Sequence, residues 1–180
     1  NIDLMCLAKG VTSGYIPLSA CMVNDRIADS LINKGGEFFH GFTYSGHPVS
    51  CAVALENIRI LEEEKIVEKV GKETGPYLAE KLLTLADHSL VGEVRSCGLL
   101  GAVELVRDSS TLEPLSEDMD EVEHLSEVFR DFCLEHGIII RPTFSTIIMT
   151  PPLIITKDQI DFLIEKFRFA LDDFKNFLKK

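Results

Sequence analysis

The segment from Thr156 to Leu178 constrains the fold more than any other stretch. Ile160, Leu163, Ile164, Phe167, Leu171, Phe174 and Leu178 keep a 3.6-residue period, and Thr156 with Gln159 three positions on has the form of a capping box. A helix with an apolar stripe this wide must lie on another layer. Asp120 to Glu135 repeats the pattern, with Val122, Leu125, Phe129, Phe132 and Cys133 on one face, and it stops at Gly137, a residue suited to a helix C-terminus. Short β runs are read at Ile138–Ile140 and Thr146–Met149, and Gly98–Val106 reads as a strand pair or a bent strand. A helical stretch is expected to run to about Leu85, and the acidic Ser109–Glu121 is read as a solvated loop. Residues after about 90 thus alternate strand and helix, predicting a small α/β layer.

The first third reads differently. Ile2 to Ala8 is a short apolar run ending at Lys9-Gly10, the pattern of a buried strand stopping at a turn. A second apolar run, Ile16 to Val23, follows the small-residue loop Gly10-Val11-Thr12-Ser13-Gly14. Phe38 to Gly46 is a loop dense in aromatics and glycine, and it leads to Pro48 at an expected first helical position. The helix beyond carries small residues at Ser50, Cys51, Ala52 and Ala54, which permit close packing, then Leu55, Ile58 and Leu61 at helical spacing. At Glu62-Glu63-Glu64-Lys65 the composition turns acidic, and a boundary is placed there, giving domains 1–62 and 63–180.

Charge and cysteine narrow the function classes. The 180 residues carry a net charge of -11, nearly all of it beyond residue 60, so phosphate backbones and anionic membrane faces are repelled. Five widely spaced cysteines without a C-x-x-C pair point to neither a disulfide framework nor a zinc site, and a reducing, cytoplasmic compartment fits. No apolar run approaches the length of a membrane span, and no basic-then-apolar leader is present. The histidines show no ligand spacing, so no metal is expected.

Four groups could carry chemistry. Lys9 ends an apolar strand; at its ordinary pKa of ~10.4 an amine is protonated and inert at neutral pH, and dry surroundings would make it a usable nucleophile or base. As plain structure it is a surface lysine at a strand end. Gly10–Gly14 offers backbone N–H groups to an anion or is simply a turn. Gly41-Phe42-Thr43-Tyr44-Ser45-Gly46-His47-Pro48 places hydroxyls and N–H groups just before a helix N-terminus, as a phosphate site or an N-capping turn. Arg141, at the end of a β run, presents a planar fork for a carboxylate or for a salt bridge to a nearby acid.

Taken in order, these pieces resemble one family. Leu7-Ala8-Lys9-Gly10-Val11-Thr12-Ser13-Gly14-Tyr15-Ile16-Pro17-Leu18 is similar to the cofactor-lysine segment of class III pyridoxal-phosphate-dependent aminotransferases. His40 to Pro48 resembles that family's phosphate-contact loop. Arg95 to Leu105, then Gly137 to Pro142 with Pro151-Pro152-Leu153, resemble its C-terminal domain. The wording is nearest to the amine–pyruvate and putrescine–pyruvate ω-aminotransferases.

The resemblance implies a fold-type I α/β transferase: residues 1–62 would end the large cofactor domain, and 63–180 would form the small C-terminal domain. Lys9 would hold pyridoxal phosphate as a Schiff base and shuttle a proton. Phe42 and Thr43 would hold the cofactor phosphate in the partner subunit of a homodimer with shared sites. Arg141 would bind the carboxylate of the keto acid and move aside for an amine without one. Where relatives often place a tight Gly-Asp turn after the arginine, this chain has Pro142-Thr143-Phe144-Ser145. The start at Asn1, without Met and within an apolar run, is expected to reflect truncation, so that the isolated chain would be inactive. The alternatives are another class III specificity (ornithine, γ-aminobutyrate, diaminopelargonate or an aminomutase) and a catalytically silent folding or dimerisation module.

Overall fold

In unit 1, Asn1–Lys65, the chain direction reverses between two short strands. A computed structural model describes residues 2–179. Strand β1 (Leu4–Ala8) runs into a 3-10 turn at Lys9–Thr12 and returns as β2 (Ser19–Val23), antiparallel, with Cys6 opposite Cys21. β1 was expected to be buried, but Leu4 and Met22 each leave more than half their surface exposed. The reason is that β1 and β2 pair only with each other.

Helix α1 (Asp25–Asn33) went unread in the sequence. It begins because the Asn24 side chain accepts the Ile27 N–H at 3.1 Å while its own amide donates to Asp3 Oδ1 at 2.6 Å. Helix α2 (Pro48–Glu63) has Pro48 in its first turn, as expected, and His47 as N-cap. Its packed side is not Leu55 and Ile58, which are exposed, but the seam Ser50 and Ala54. Small side chains there let the helix backbone come close to a neighbour.

Unit 2, Ile66–Lys180, is built on an antiparallel sheet. Helix α3 (Ile66–Lys69), a π-helical segment at Val70–Thr74 and helix α4 (Gly75–Leu83) occupy the predicted helical stretch. The reading of Gly98–Val106 resolves into a hairpin of β3 (Val91–Cys97) and β4 (Leu100–Asp108), turning at Gly98, whose φ of 57° suits glycine. α4 lies so near β4 that a Cβ on Gly101 would sit 2.6 Å from Leu82 Cδ1.

The acidic stretch is more than a loop. It contains β5 (Glu113–Pro114), paired with β4, and Leu115, fully buried, whose carbonyl accepts two bonds from the Arg107 guanidinium. Helix α5 (Met119–Glu135) closes as predicted: Gly137, at φ 84°, donates to Leu134 O and Ile138 N donates to Cys133 O, a Schellman pair.

Ile138–Ile140 forms no strand. Ile138 and Ile140 are buried while Ile139 is exposed, and pairing starts one residue later with β6 (Arg141–Thr143) and β7 (Thr146–Met149). Arg141 therefore opens a strand rather than ending one. β6 is the sheet edge in the order β3-β4-β7-β6, where Pro142 is tolerated because its missing N–H faces no partner. Helix α6 (Lys157–Phe177) carries the predicted capping box, with Gln159 N donating to Thr156 Oγ1 at 3.3 Å and Thr156 N donating to Gln159 Oε1 at 2.9 Å. Its predicted stripe supplies Ile160, Ile164, Phe167, Leu171 and Phe174 to the core, with Leu163 and Leu178 partly buried against it.

One buried group makes this unit sensitive to acid. His88 accepts the Leu90 N–H at Nδ1 (3.2 Å), and its Nε2 has no hydrogen-bond partner, the nearest carboxylate oxygen being Asp172 Oδ1 at 3.5 Å. Burial pulls the imidazole below its usual range, the Asp172 carboxylate opposing this only in part. The unfolded chain takes up that proton near the ordinary histidine value of about 6.5, before the folded chain does. The contribution is whole above that pH and is lost as pH falls towards the folded value. Urea midpoints between pH 7.5 and 5 should therefore drop for the wild type and drop less for His88→Gln. Equal slopes would remove His88 as the cause.

Candidate active site

β1 delivers Lys9 to the turn in a left-handed backbone conformation, φ 51°, and Ser13 repeats it at φ 49°. Few residues other than glycine adopt this geometry without support from their surroundings. Part of the support is local: Thr12 is buried, and its hydroxyl donates to Ile16 O at 2.7 Å. Ser13 N, Gly14 N and Tyr15 N donate to Gly10, Lys9 and Thr12 carbonyls. The N–H groups of Ser13 and Gly14 are committed to the turn itself.

Lys9 lines a cavity of about 650 Å³ within unit 1, shared with Thr12, Ile16, Phe42, Tyr44 and Ser45. Of the two readings of this lysine, dry or at the surface, the structure has Lys9 exposed. Among the described residues the ladder that carries it is only two strands wide.

The aromatic loop supplies the opposite wall. Phe42 N donates to Ser45 Oγ at 2.9 Å and Ser45 N donates back to Phe42 O at 2.9 Å, closing a tight turn ahead of α2. Next, the His47 ring accepts from Ser50 N at 3.3 Å. Thr43 is exposed at the apex of the turn and is not part of the cavity wall. The structure thus joins Lys9 with Phe42, while Thr43 stays one residue outside.

Arg141 lies in unit 2, exposed, between two hollows. On one side is an apolar cavity of about 730 Å³ with Ile139, Ile148, Pro151, Ile154 and Phe162 in its wall. On the other is a polar one of about 510 Å³ with Glu123, Glu127 and Arg130. Glu127 lies 3.7 Å from Arg130, so it already has a cationic neighbour. The turn that follows Arg141 is only two residues long, and Phe144 occupies it at φ 51°. Sequence reasoning missed Asn57, which lies on the packed seam of α2 and bonds to the Lys9 turn. Its partners are 44 to 47 residues away, so no local pattern signals it.

The cavity thus brings an amine, Lys9, to the same wall as the aromatic turn that precedes α2. Comparison with known proteins agrees: the sequence pattern of the class-III aminotransferases matches residues 1–171. The chain is a class III aminotransferase chain. It is 51% identical over 170 residues to putrescine–pyruvate aminotransferase of Pseudomonas aeruginosa, covering 94% of this chain and 36% of that one. A solved (S)-enantioselective ω-transaminase from Thermomicrobium roseum superposes with a TM-score of 0.87 at 42% identity, covering 97% of this chain and 38% of that one. An amine transaminase from an uncultivated Pseudomonas species, solved in its PLP-bound internal aldimine form, matches with a TM-score of 0.85 at 38% identity, over 95% and 38%.

This class III aminotransferase chain spans about a third of the length of the curated relatives it matches. The α/β fold is that of the fold-type I transferases, as expected from the sequence. No helix among the described residues is long and apolar enough to cross a membrane.

Proposed function

We propose that this chain belongs to a cytoplasmic, homodimeric aminotransferase that moves an amino group from an amine or ω-amino acid to a keto acid such as pyruvate. The observation that carries the reading is Lys9, held in a left-handed turn at the end of β1 on the wall of a cavity of about 650 Å³. The 51% identity to a putrescine–pyruvate aminotransferase supports the amine and pyruvate assignment. Five free cysteines suit a reducing compartment. On this reading residues 1–62 close the large domain and 63–180 form the small one.

Lys9 Nζ is the group that would hold pyridoxal phosphate covalently and, when free, would act as the proton carrier for the substrate carbon. Pyridoxal phosphate, when bound, supplies the electron sink. Thr43, whose exposed hydroxyl stands at the apex of the turn before α2, together with the backbone near Phe42, holds the phosphate in the partner subunit's site. The positive end of the helix favours the dianion there. Arg141 grips the carboxylate of the keto acid through two parallel N–H groups.

The test is to incubate the assembled enzyme that contains this chain with substoichiometric pyridoxal phosphate, reduce with borohydride and map the labelled peptides. The label is expected on Lys9 ahead of all other lysines. Labelling spread over the exposed lysines, with no preference for Lys9, would sink the reading.

A further inference from the structure

The structure assigns to Asn57 the role of positioning residue for the turn that presents Lys9. Its amide is used in full: Nδ2 donates to Gly10 O at 3.0 Å and to Val11 O at 3.2 Å, and Oδ1 accepts from Ser13 Oγ at 2.6 Å. These partners are 44 to 47 residues away in sequence, so the bonds tie the turn to α2 and not to its own strand. They also grip the segment between its two left-handed residues, Lys9 and Ser13.

The chemistry at that point selects an amide. Two carbonyl oxygens and one hydroxyl converge on a single side chain, which must present two donors and one acceptor in a plane; only asparagine or glutamine does so without charge. Position matters equally. Ala54 and Ser50 are buried one and two turns before Asn57 on the same face of α2, and their small size brings the helix near enough for a short side chain to reach the turn. A left-handed lysine persists only where its surroundings over-determine it. Thr12 supplies part of that constraint from within the turn, and Asn57 supplies the part that comes from outside. Loosened, Lys9 returns to the ordinary backbone region and its side chain leaves the cavity wall it shares with Phe42.

This role rests on the reading that Lys9 holds the cofactor, and two measurements separate the two claims. Asn57→Asp keeps the shape but sets a carboxylate against two carbonyl oxygens. Amide hydrogen exchange at Ser13, Gly14 and Tyr15 is expected to speed up at least tenfold in that variant, with amides of β4 and α6 unchanged as the control for folding. Borohydride trapping of pyridoxal phosphate at Lys9 is expected to fall tenfold or more relative to the other lysines.

Asn57→Gln keeps the amide and should recover much of both, which a merely space-filling residue would not do. Ser13→Ala removes one of the three bonds and should give an intermediate effect, so the idea stays testable if Asn57→Asp does not fold. Unchanged exchange in the turn would overturn the clamp, and faster exchange with undiminished trapping would overturn its bearing on Lys9. Absence of trapping at Lys9 in the wild type would overturn the cofactor assignment instead, leaving exchange alone to decide the clamp.

Discussion

Replacing Lys9 by alanine is expected to lower amino transfer from an amine to pyruvate by at least about 10²–10⁴-fold, the range that a positioned proton carrier contributes. Lys9→Arg should lose as much. Arginine keeps the positive charge and the length but cannot be deprotonated in a protein, so it can neither bond to an aldehyde carbon nor carry the proton. The pair of variants separates two roles. If Lys9 served only as a counter-charge for an anion, arginine would preserve turnover and alanine would not.

The comparison is made in a preparation that transfers an amino group, by following alanine formed from pyruvate. Keto-acid binding should be little changed in both variants, because Arg141 and not Lys9 is assigned the carboxylate. Wild-type turnover in Lys9→Arg would remove the lysine from the mechanism.

Much of the second unit was legible because its signals are local and redundant. α6 announces itself three times, through the capping box, the apolar period and the length, and α5 ends at a glycine that adopts the left-handed geometry a Schellman pair needs. Where one strong signal masked another, the reading failed. The acidic composition of Ser109–Glu121 hid Leu115, a single apolar anchor in a charged run, and three consecutive isoleucines looked like a strand although Ile139 points to solvent. Strand pairing is settled across the sheet and is invisible in a three-residue window. That is why the ladder starts at Arg141.

The candidate site divides along the same line. Lys9, Phe42, Thr43 and Arg141 could be picked out because each sits in a distinctive local context, before a glycine, within an aromatic turn or beside a proline. Asn57 could not, because its three partners lie 44 to 47 residues away and nothing nearby in the sequence marks it. Whether Lys9 is dry or exposed was also beyond reach. Desolvation comes from whatever covers a strand, and among the described residues β1 pairs with β2 alone.

Phe129→Ala is expected to destabilise unit 2 by about 3–5 kcal/mol, near the upper end for a single core truncation. Phe129 is completely buried and stands at the junction of α5 and α6. Its ring meets Phe167 at 5.1 Å and 74°, and Phe174 at 5.4 Å and 61°, both edge-to-face. Removing it forfeits the transfer of a large apolar side chain and two aromatic contacts worth about 0.5–1.5 kcal/mol each. It also opens a cavity among residues held on two long helices that cannot easily collapse. The loss is measured from urea unfolding of wild type and variant, with the slope compared so that a change in midpoint reports stability alone.

Leu134→Ala on the same helix serves as the contrast. Leu134 is 61% exposed, so its loss should fall within about 0.5 kcal/mol, the range of surface substitutions. A loss below about 1 kcal/mol for Phe129→Ala would mean that α5 and α6 are not joined through this aromatic cluster, and the packing described for the second unit would have to be redrawn.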